Sequence, residues 1–358
     1  MTVTDAAPII LGNAPSTGST LLRVLLGRHP AIYCGGELAV LDKPALLDEA
    51  ADHYRERIME WLSKGFPLEF VGASCRLFDQ LDEYPWDRTG VTKLCERTSG
   101  VADLLMQFYA PALAQKGAYR WLEKTPCNVY SFERITTLFP RAKLVHIVRD
   151  ARHSIPSYCR REPSVFKAVS RWYYATLTGI QYRGRPDYHE VRYEDLVSDP
   201  HATLERLCAF LGEAYDPRMV VREATGAYGR GPGGWRYDPA GSISGSGEEA
   251  TSDLTDGRGM TTVQRAVFEH TRLSSHGASA LPAWGACRYL TSPLALQKYL
   301  GYGTEILEAV DGSADGAEAW TRDALLAHWA DFLVHRARAW RTYRRRLECH
   351  TKLCGRFG

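Results

Sequence analysis

Val145-His-Ile-Val-Arg-Asp150 is a short apolar run that ends in an arginine and an aspartate. Its valines and isoleucine read as a buried strand, and Ser157 follows Arg149 on what reads as the next helix. A strand that delivers a guanidinium to its carboxyl edge marks an anion site. Ligands of open α/β sheets bind beyond the carboxyl ends of strands, where helix N-termini offer free N–H groups. A second corner of this kind lies in Pro8-Ile-Ile-Leu-Gly-Asn-Ala-Pro-Ser-Thr-Gly-Ser-Thr-Leu-Leu22. Two such corners in one sheet suggest a ligand with two separate anionic groups.

The surrounding pattern supports that sheet. Residues 8–12, 119–122, 142–148 and 188–192 read as strands. A helix is expected from 18 to 28, with Leu21, Leu22, Leu25 and Leu26 on one face and His29-Pro30 as its stop. Further helices are expected at 44–63, at 98–116 with Ser99 as cap, at 128–138 after Pro126, at 164–183, and at 203–211 after Asp199-Pro200. The alternation argues for a mostly parallel, doubly wound sheet flanked by helices.

With 358 residues, 45% of them hydrophobic, the chain can build one large α/β domain, or one with a long insertion. A net charge of +2 makes no electrostatic case for nucleic acid. The nine cysteines form no Cys-x-x-Cys pair, which argues against a zinc site and against a disulfide framework. No secretory signal and no apolar stretch long enough to span a bilayer is visible, so a cytoplasmic protein is expected. From Gly226 to Gly259 glycine and serine dominate, as either a loop over a site or a linker. Residues 321–350 read as an amphipathic helix whose end is crowded with arginines. That end is either a solvated face that suits the helix dipole or a contact for an acidic partner.

Three groups carry candidate chemistry. Gly18, Ser19 and Thr20 open the first helix, with small side chains that let backbone N–H groups reach a phosphate. No lysine follows Gly18, so this is not the loop of the NTPases, and the same residues also suit an ordinary turn. Lys124 ends a strand in Trp121-Leu-Glu-Lys-Thr-Pro-Cys-Asn128 and aims an ammonium at the same sheet edge, unless it is a plain surface lysine. Arg149 and Ser157 can grip a phosphate together, unless Arg149 only caps its strand by pairing with Asp150 or Glu123. His146 lies within the apolar strand and reads as a core residue.

Four segments, Pro15-Ser-Thr-Gly-Ser-Thr-Leu-Leu22, Glu123-Lys-Thr-Pro-Cys-Asn128, Val148-Arg-Asp-Ala-Arg-His-Ser-Ile-Pro-Ser-Tyr158 and Arg192-Tyr-Glu-Asp-Leu-Val-Ser-Asp-Pro200, resemble the sulfotransferases in order and spacing. The likeness is to the tyrosylprotein and bacterial branches and covers about residues 8–212. It implies a three-layer, nucleotide-kinase-like α/β fold and 3′-phosphoadenosine 5′-phosphosulfate (PAPS) as donor, with the desulfated nucleotide PAP as product and no metal. Ser16, Thr17, Gly18, Ser19 and Thr20 would hold the 5′-phosphosulfate, Arg149 and Ser157 the 3′-phosphate, and Tyr193 would lie near the adenine. Lys124 would stabilise charge on the transferring group. Glu37, in Tyr33-Cys-Gly-Gly-Glu-Leu38, matches the position of a base, or is an ordinary helix-start carboxylate.

One departure stands out. The family usually carries a lysine or arginine where this chain has Ser16, and that cation touches the 5′-phosphosulfate. Arg23, Arg230, Arg236 and Arg258 are candidate substitutes, and Gly257-Arg258-Gly259 could also serve the 3′-phosphate. The expected organisation is a core over 1–225, an acceptor-side segment of the same domain over 226–320, and a helical C-terminal extension over 321–358. The resemblance implies transfer to a hydroxyl or amine of a small molecule, as in secondary metabolism, with no nucleic acid, no transmembrane segment and a homodimer as the assembly considered. Two other readings stay open: the same fold with a changed donor or with elimination or cyclisation chemistry, and a non-catalytic nucleotide binder.

Overall fold

The computed structural model describes residues 7–42, 81–160, 164–220, 262–270 and 292–303, with isolated positions between 47 and 75 and at 260 and 290. The first half runs β1 (Ile9–Asn13), α1 (Ser19–Gly27), β2 (Ile32–Cys34), β3 (Phe66–Pro67), β4 (Ser74–Cys75), α2 (Arg88–Arg97), α3 (Val101–Lys116) and β5 (Arg120–Lys124). A 3-10 segment (Pro126–Ser131) leads to α4 (Phe132–Leu138), β6 (Lys143–Val148), α5 (Ala151–Cys159) and α6 (Val165–Ile180). β7 (Tyr188–Arg192), α7 (Tyr193–Ser198), α8 (Pro200–Leu211), α9 (Thr262–His270) and α10 (Pro293–Tyr299) follow.

The described residues fall into two units, one taking 7–13, 18–147 and 183–220, the other 14–17, 148–182 and those from 260 to 303. The first holds a five-stranded sheet in the order β2-β5-β1-β6-β7. β5 and β6 both run parallel to β1, with Leu11 opposite Lys124 on one side and Val145 on the other. β2 runs parallel to β5. From β1 the next strand of this sheet lies on one side, and from β6 it lies on the other. The carboxyl ends of these two neighbours therefore form a topological switch point, the place where open α/β sheets bind ligands.

Burial explains why these strands form. Every residue of β1 and of β5 is buried, so both strands are covered on both faces. Trp121 of β5 stacks on Tyr109 of α3 with ring centroids 4.5 Å apart, which fastens that helix to the sheet. The second unit is built on α6, most of whose side chains are buried, and Tyr173 there donates to the Leu290 carbonyl.

Several sequence expectations shift. The expected helix at 128–138 begins as the 3-10 segment, since Pro126 sits at its start and the Asn128 N–H closes a tight turn on the Thr125 carbonyl at 2.9 Å. Ser99 does not cap α3, whose N-cap is Gly100; the Ser99 N–H and hydroxyl donate to Asp103 instead. The expected helix at 203–211 starts earlier, at Pro200, because proline suits a first helical turn and Asp199 caps it through the Ala202 N–H. The segments 226–259 and 321–350 lie outside the described residues, as does most of 44–63.

His146 is fully buried in β6, with Nδ1 2.8 Å from the Tyr188 hydroxyl. Burial pushes its imidazole down to about 4, the Glu190 carboxylate opposing and Arg183 adding to the effect. The neutral ring stabilises the fold above pH 6.5 or so, and that stability is lost as pH falls towards 4, because the unfolded chain takes up the proton first. Urea titrations should show a shallower loss over this window in His146→Gln than in the parent.

Candidate active site

In the first unit, β5 ends on Lys124, whose side chain is only 4% exposed. A buried ammonium needs an anion, and the Glu37 carboxylate provides it as a direct ion pair. Lys124 also donates to the Thr20 hydroxyl, 3.5 Å away. The cation expected from the sequence thus stands between the expected base and the opening turn of α1. Glu37 itself is 41% exposed, so its carboxylate is open to incoming molecules while its partner is not.

Glu123, next to Lys124, points into the interior and is wholly buried. It accepts from the Thr125 hydroxyl at 2.6 Å and from the Asn128 amide. Burial pushes this carboxyl up to about 7, the two hydrogen bonds working against that rise and the charges of Asp42 and Glu37 adding to it. A sequence reader has no signal that separates Glu123 from any other strand carboxylate.

Gly18 is the N-cap of α1 and takes φ +93°, a left-handed conformation open to glycine. No side chain caps this helix end, and its first turn carries no acidic residue. Its leading N–H groups suit an anion. Tyr193, first residue of α7, is buried against Gly18: a Cβ there would meet the ring at 2.2 Å. The tyrosine expected near an adenine therefore shapes the turn that opens α1.

In the second unit, Ser16 takes φ +61° and Arg149 Nη1 donates to the Ser16 carbonyl at 3.4 Å. The Thr17 side chain is fully buried and its hydroxyl donates to the Ala14 carbonyl at 2.8 Å, a bond that braces the turn. Ser157 is half-buried on α5 and accepts from Arg160 Nη2 at 3.1 Å, so Arg160 is a further cation at this corner that the sequence reading missed. Asp150 binds Arg152 and accepts from Gln297 Nε2 at 2.7 Å, while the Ala151 N–H donates to Gln297 Oε1 at 3.1 Å. The leading amide of α5 is thereby occupied.

Other candidates go elsewhere. Arg23 Nη1 donates to the Gly35 carbonyl at 2.5 Å and to Glu83 at 2.8 Å, which commits it to the Glu37 segment and not to the place of a missing cation. Arg230, Arg236 and Arg258 lie outside the described residues. Among the described residues no cluster of His, Cys, Asp and Glu is placed to hold a metal ion, and no helix is long and apolar enough to cross a membrane.

The parallel sheet flanked by helices defines an α/β protein. The model of the sulfotransferase family matches residues 8–217, and the chain belongs to that family. Protein-tyrosine sulfotransferase 2 of Gallus gallus is 26% identical over 229 residues, 60% of this chain and 53% of that protein. The omega-hydroxy-beta-dihydromenaquinone-9 sulfotransferase Stf3 of Mycobacterium bovis is 30% identical over 118 residues, 27% of this chain and 30% of that one. The chain spans about half the length of the first curated relatives it matches. The sulfotransferase domain of the Synechococcus PCC 7002 olefin synthase superposes with a TM-score of 0.48 at 20% identity, covering 84% of this chain and 95% of that one.

The Gly18–Tyr193 contact gives a direct check. Gly18→Ala should cost roughly 2–4 kcal/mol in chemical denaturation, from backbone strain and from the clash with the ring. In a Tyr193→Ala background the same change should cost only the backbone part, about 1 kcal/mol.

Proposed function

We propose that the protein transfers a sulfuryl group from PAPS to a hydroxyl, or amine, of a small-molecule acceptor and releases PAP. The observation that carries this reading is the buried Lys124 ammonium set between the Glu37 carboxylate and the Thr20 hydroxyl. Both relatives described above bear names that specify hydroxyl-bearing acceptors, a protein tyrosine in one and a hydroxylated menaquinone in the other. A hydroxyl is their shared chemistry, and the small-molecule name of the second supports the small-molecule reading.

Glu37 takes the acceptor proton, the freed oxygen attacks sulfur, and the bond from sulfur to the bridging phosphate oxygen breaks. Lys124 stabilises the negative charge that grows on that oxygen, where fixed cations act most strongly. The N–H groups of Ser19 and Thr20 meet the 5′-phosphate, Arg149 and Ser157 the 3′-phosphate, and Tyr193 flanks the nucleotide. The residues present fit such a donor: α1 begins without a side-chain cap, and Ser157 is accompanied by Arg160.

Transfer of labelled sulfate from PAPS to a panel of small alcohols, phenols and amines, with a tyrosine peptide alongside, tests this. Lys124→Ala should lower kcat by about 10²–10³-fold and Glu37→Gln by about 10²-fold. PAP affinity by calorimetry should stay within about twofold in Glu37→Gln. Ser16→Lys should tighten donor binding roughly tenfold by restoring a charge-assisted contact. Absence of PAP binding by the parent protein at high nucleotide concentration would overturn the reading, and loss of all turnover in Ser16→Lys would favour a changed chemistry. Sulfation of the peptide alone would overturn the small-molecule acceptor.

A further inference from the structure

The segment that carries Glu37 is not part of a helix or strand, yet it is gripped at three points of its main chain. The Arg23 guanidinium holds the Gly35 carbonyl, and the Tyr84 hydroxyl donates to the Gly36 carbonyl at 2.7 Å. Tyr84 sits so close over Gly35 that a Cβ there would lie 2.2 Å from its ring. On the far side of Glu37, the Ala39 N–H donates to Thr125 Oγ1 at 3.1 Å. Ala39 takes φ +52°, a left-handed conformation that an alanine holds only when its surroundings impose it.

The third grip has a direction. A hydroxyl has one proton, and Thr125 Oγ1 spends its own on Glu123 Oε1, 2.6 Å away, which leaves its lone pairs to Ala39. Glu123 Oε2 accepts from Asn128 Nδ2, which also reaches the Leu11 carbonyl of β1 at 3.4 Å. The chain of bonds thus runs from the Glu37 segment through Thr125, Glu123 and Asn128 to the central strand. Ala39, Thr125, Glu123 and Asn128 are 1%, 2%, 0% and 0% exposed. A buried carboxyl is costly, and apolar side chains of the same shape can stabilise a core as well or better. Its retention here goes with the orientation of Thr125.

We propose that Thr125, oriented by Glu123, is the positioning residue for Glu37, holding the Glu37 segment so that its carboxylate meets Lys124 and faces the acceptor. The proposal rests on the reading of Glu37 and Lys124 as base and cation of the transfer. Thr125 touches neither nucleotide nor acceptor in this account, so its effect falls on the rate step through Glu37.

Thr125→Val keeps the shape of the side chain and removes both hydrogen bonds. It should lower kcat at least about tenfold, with PAP affinity and the donor KM within about twofold, and Thr125→Ser should restore kcat to within about threefold. In a Glu37→Gln background, Thr125→Val should cost less than about a further twofold, because the group it positions is already gone. A full, multiplicative loss in that background, or a parallel loss of PAP affinity, would overturn the proposal. A crystal structure of Thr125→Val is the readout that does not depend on sulfate transfer. Parting of Glu37 from Lys124 and release of Ala39 from the left-handed region would support the positioning role even if the parent protein transfers no sulfate. An unchanged ion pair and an unchanged Ala39 would refute it.

Discussion

The Lys124–Glu37 ion pair is the interaction on which the rest of this site depends. Lys124 sits at the end of a strand buried on both faces, so its ammonium cannot rely on water and must find a carboxylate. That requirement falls on a segment without regular structure. The chain meets it by tying residues 35–39 to α1 through Arg23, to Tyr84, and to the end of β5 through Thr125. Order in a loop is won here by side chains from elements whose own positions the sheet determines.

In the sheet, β1 and β6 are neighbours whose connections depart in opposite directions, so their carboxyl ends form one switch point. Pro8–Leu22 and Val145–Asp150 could be read as two corners of one sheet because their strands are continuous apolar runs, the least ambiguous pattern a parallel sheet writes into a sequence. Tyr188–Arg192 was equally legible. The helix at Arg88–Arg97 was not: only Val91, Leu94 and Cys95 of it are buried, too few to mark a face amid charged neighbours. The helix at Tyr193–Ser198 was hidden for a similar reason, since its first turn is acidic and short.

The site divides in the same way. Lys124 and Arg149 stand out in the sequence because a cation at a strand end implies charge chemistry, whereas Glu37 is singled out only through the resemblance to the sulfotransferases. Gln297, which binds both Asp150 and the Ala151 amide, was beyond reach, because its partners lie some 147 residues away in sequence. Glu123 and Thr125 were likewise silent: nothing local shows that one is buried and the other bridges to Ala39. Arg23 misled for the converse reason. Its position beside the first turn suggested an anion contact, while the structure commits it to Glu83 and Gly35.

Ser16 concentrates what is particular to this chain. It holds a left-handed backbone conformation, and its carbonyl accepts from Arg149, so the residue that lacks the usual cation is itself touched by one. The most direct measurement is a crystal structure of the protein with bound PAP. The account predicts the 5′-phosphate on the Ser19 and Thr20 amides within reach of Lys124, and the 3′-phosphate on Arg149 and Ser157. A nucleotide bound with neither phosphate on these groups would contradict it.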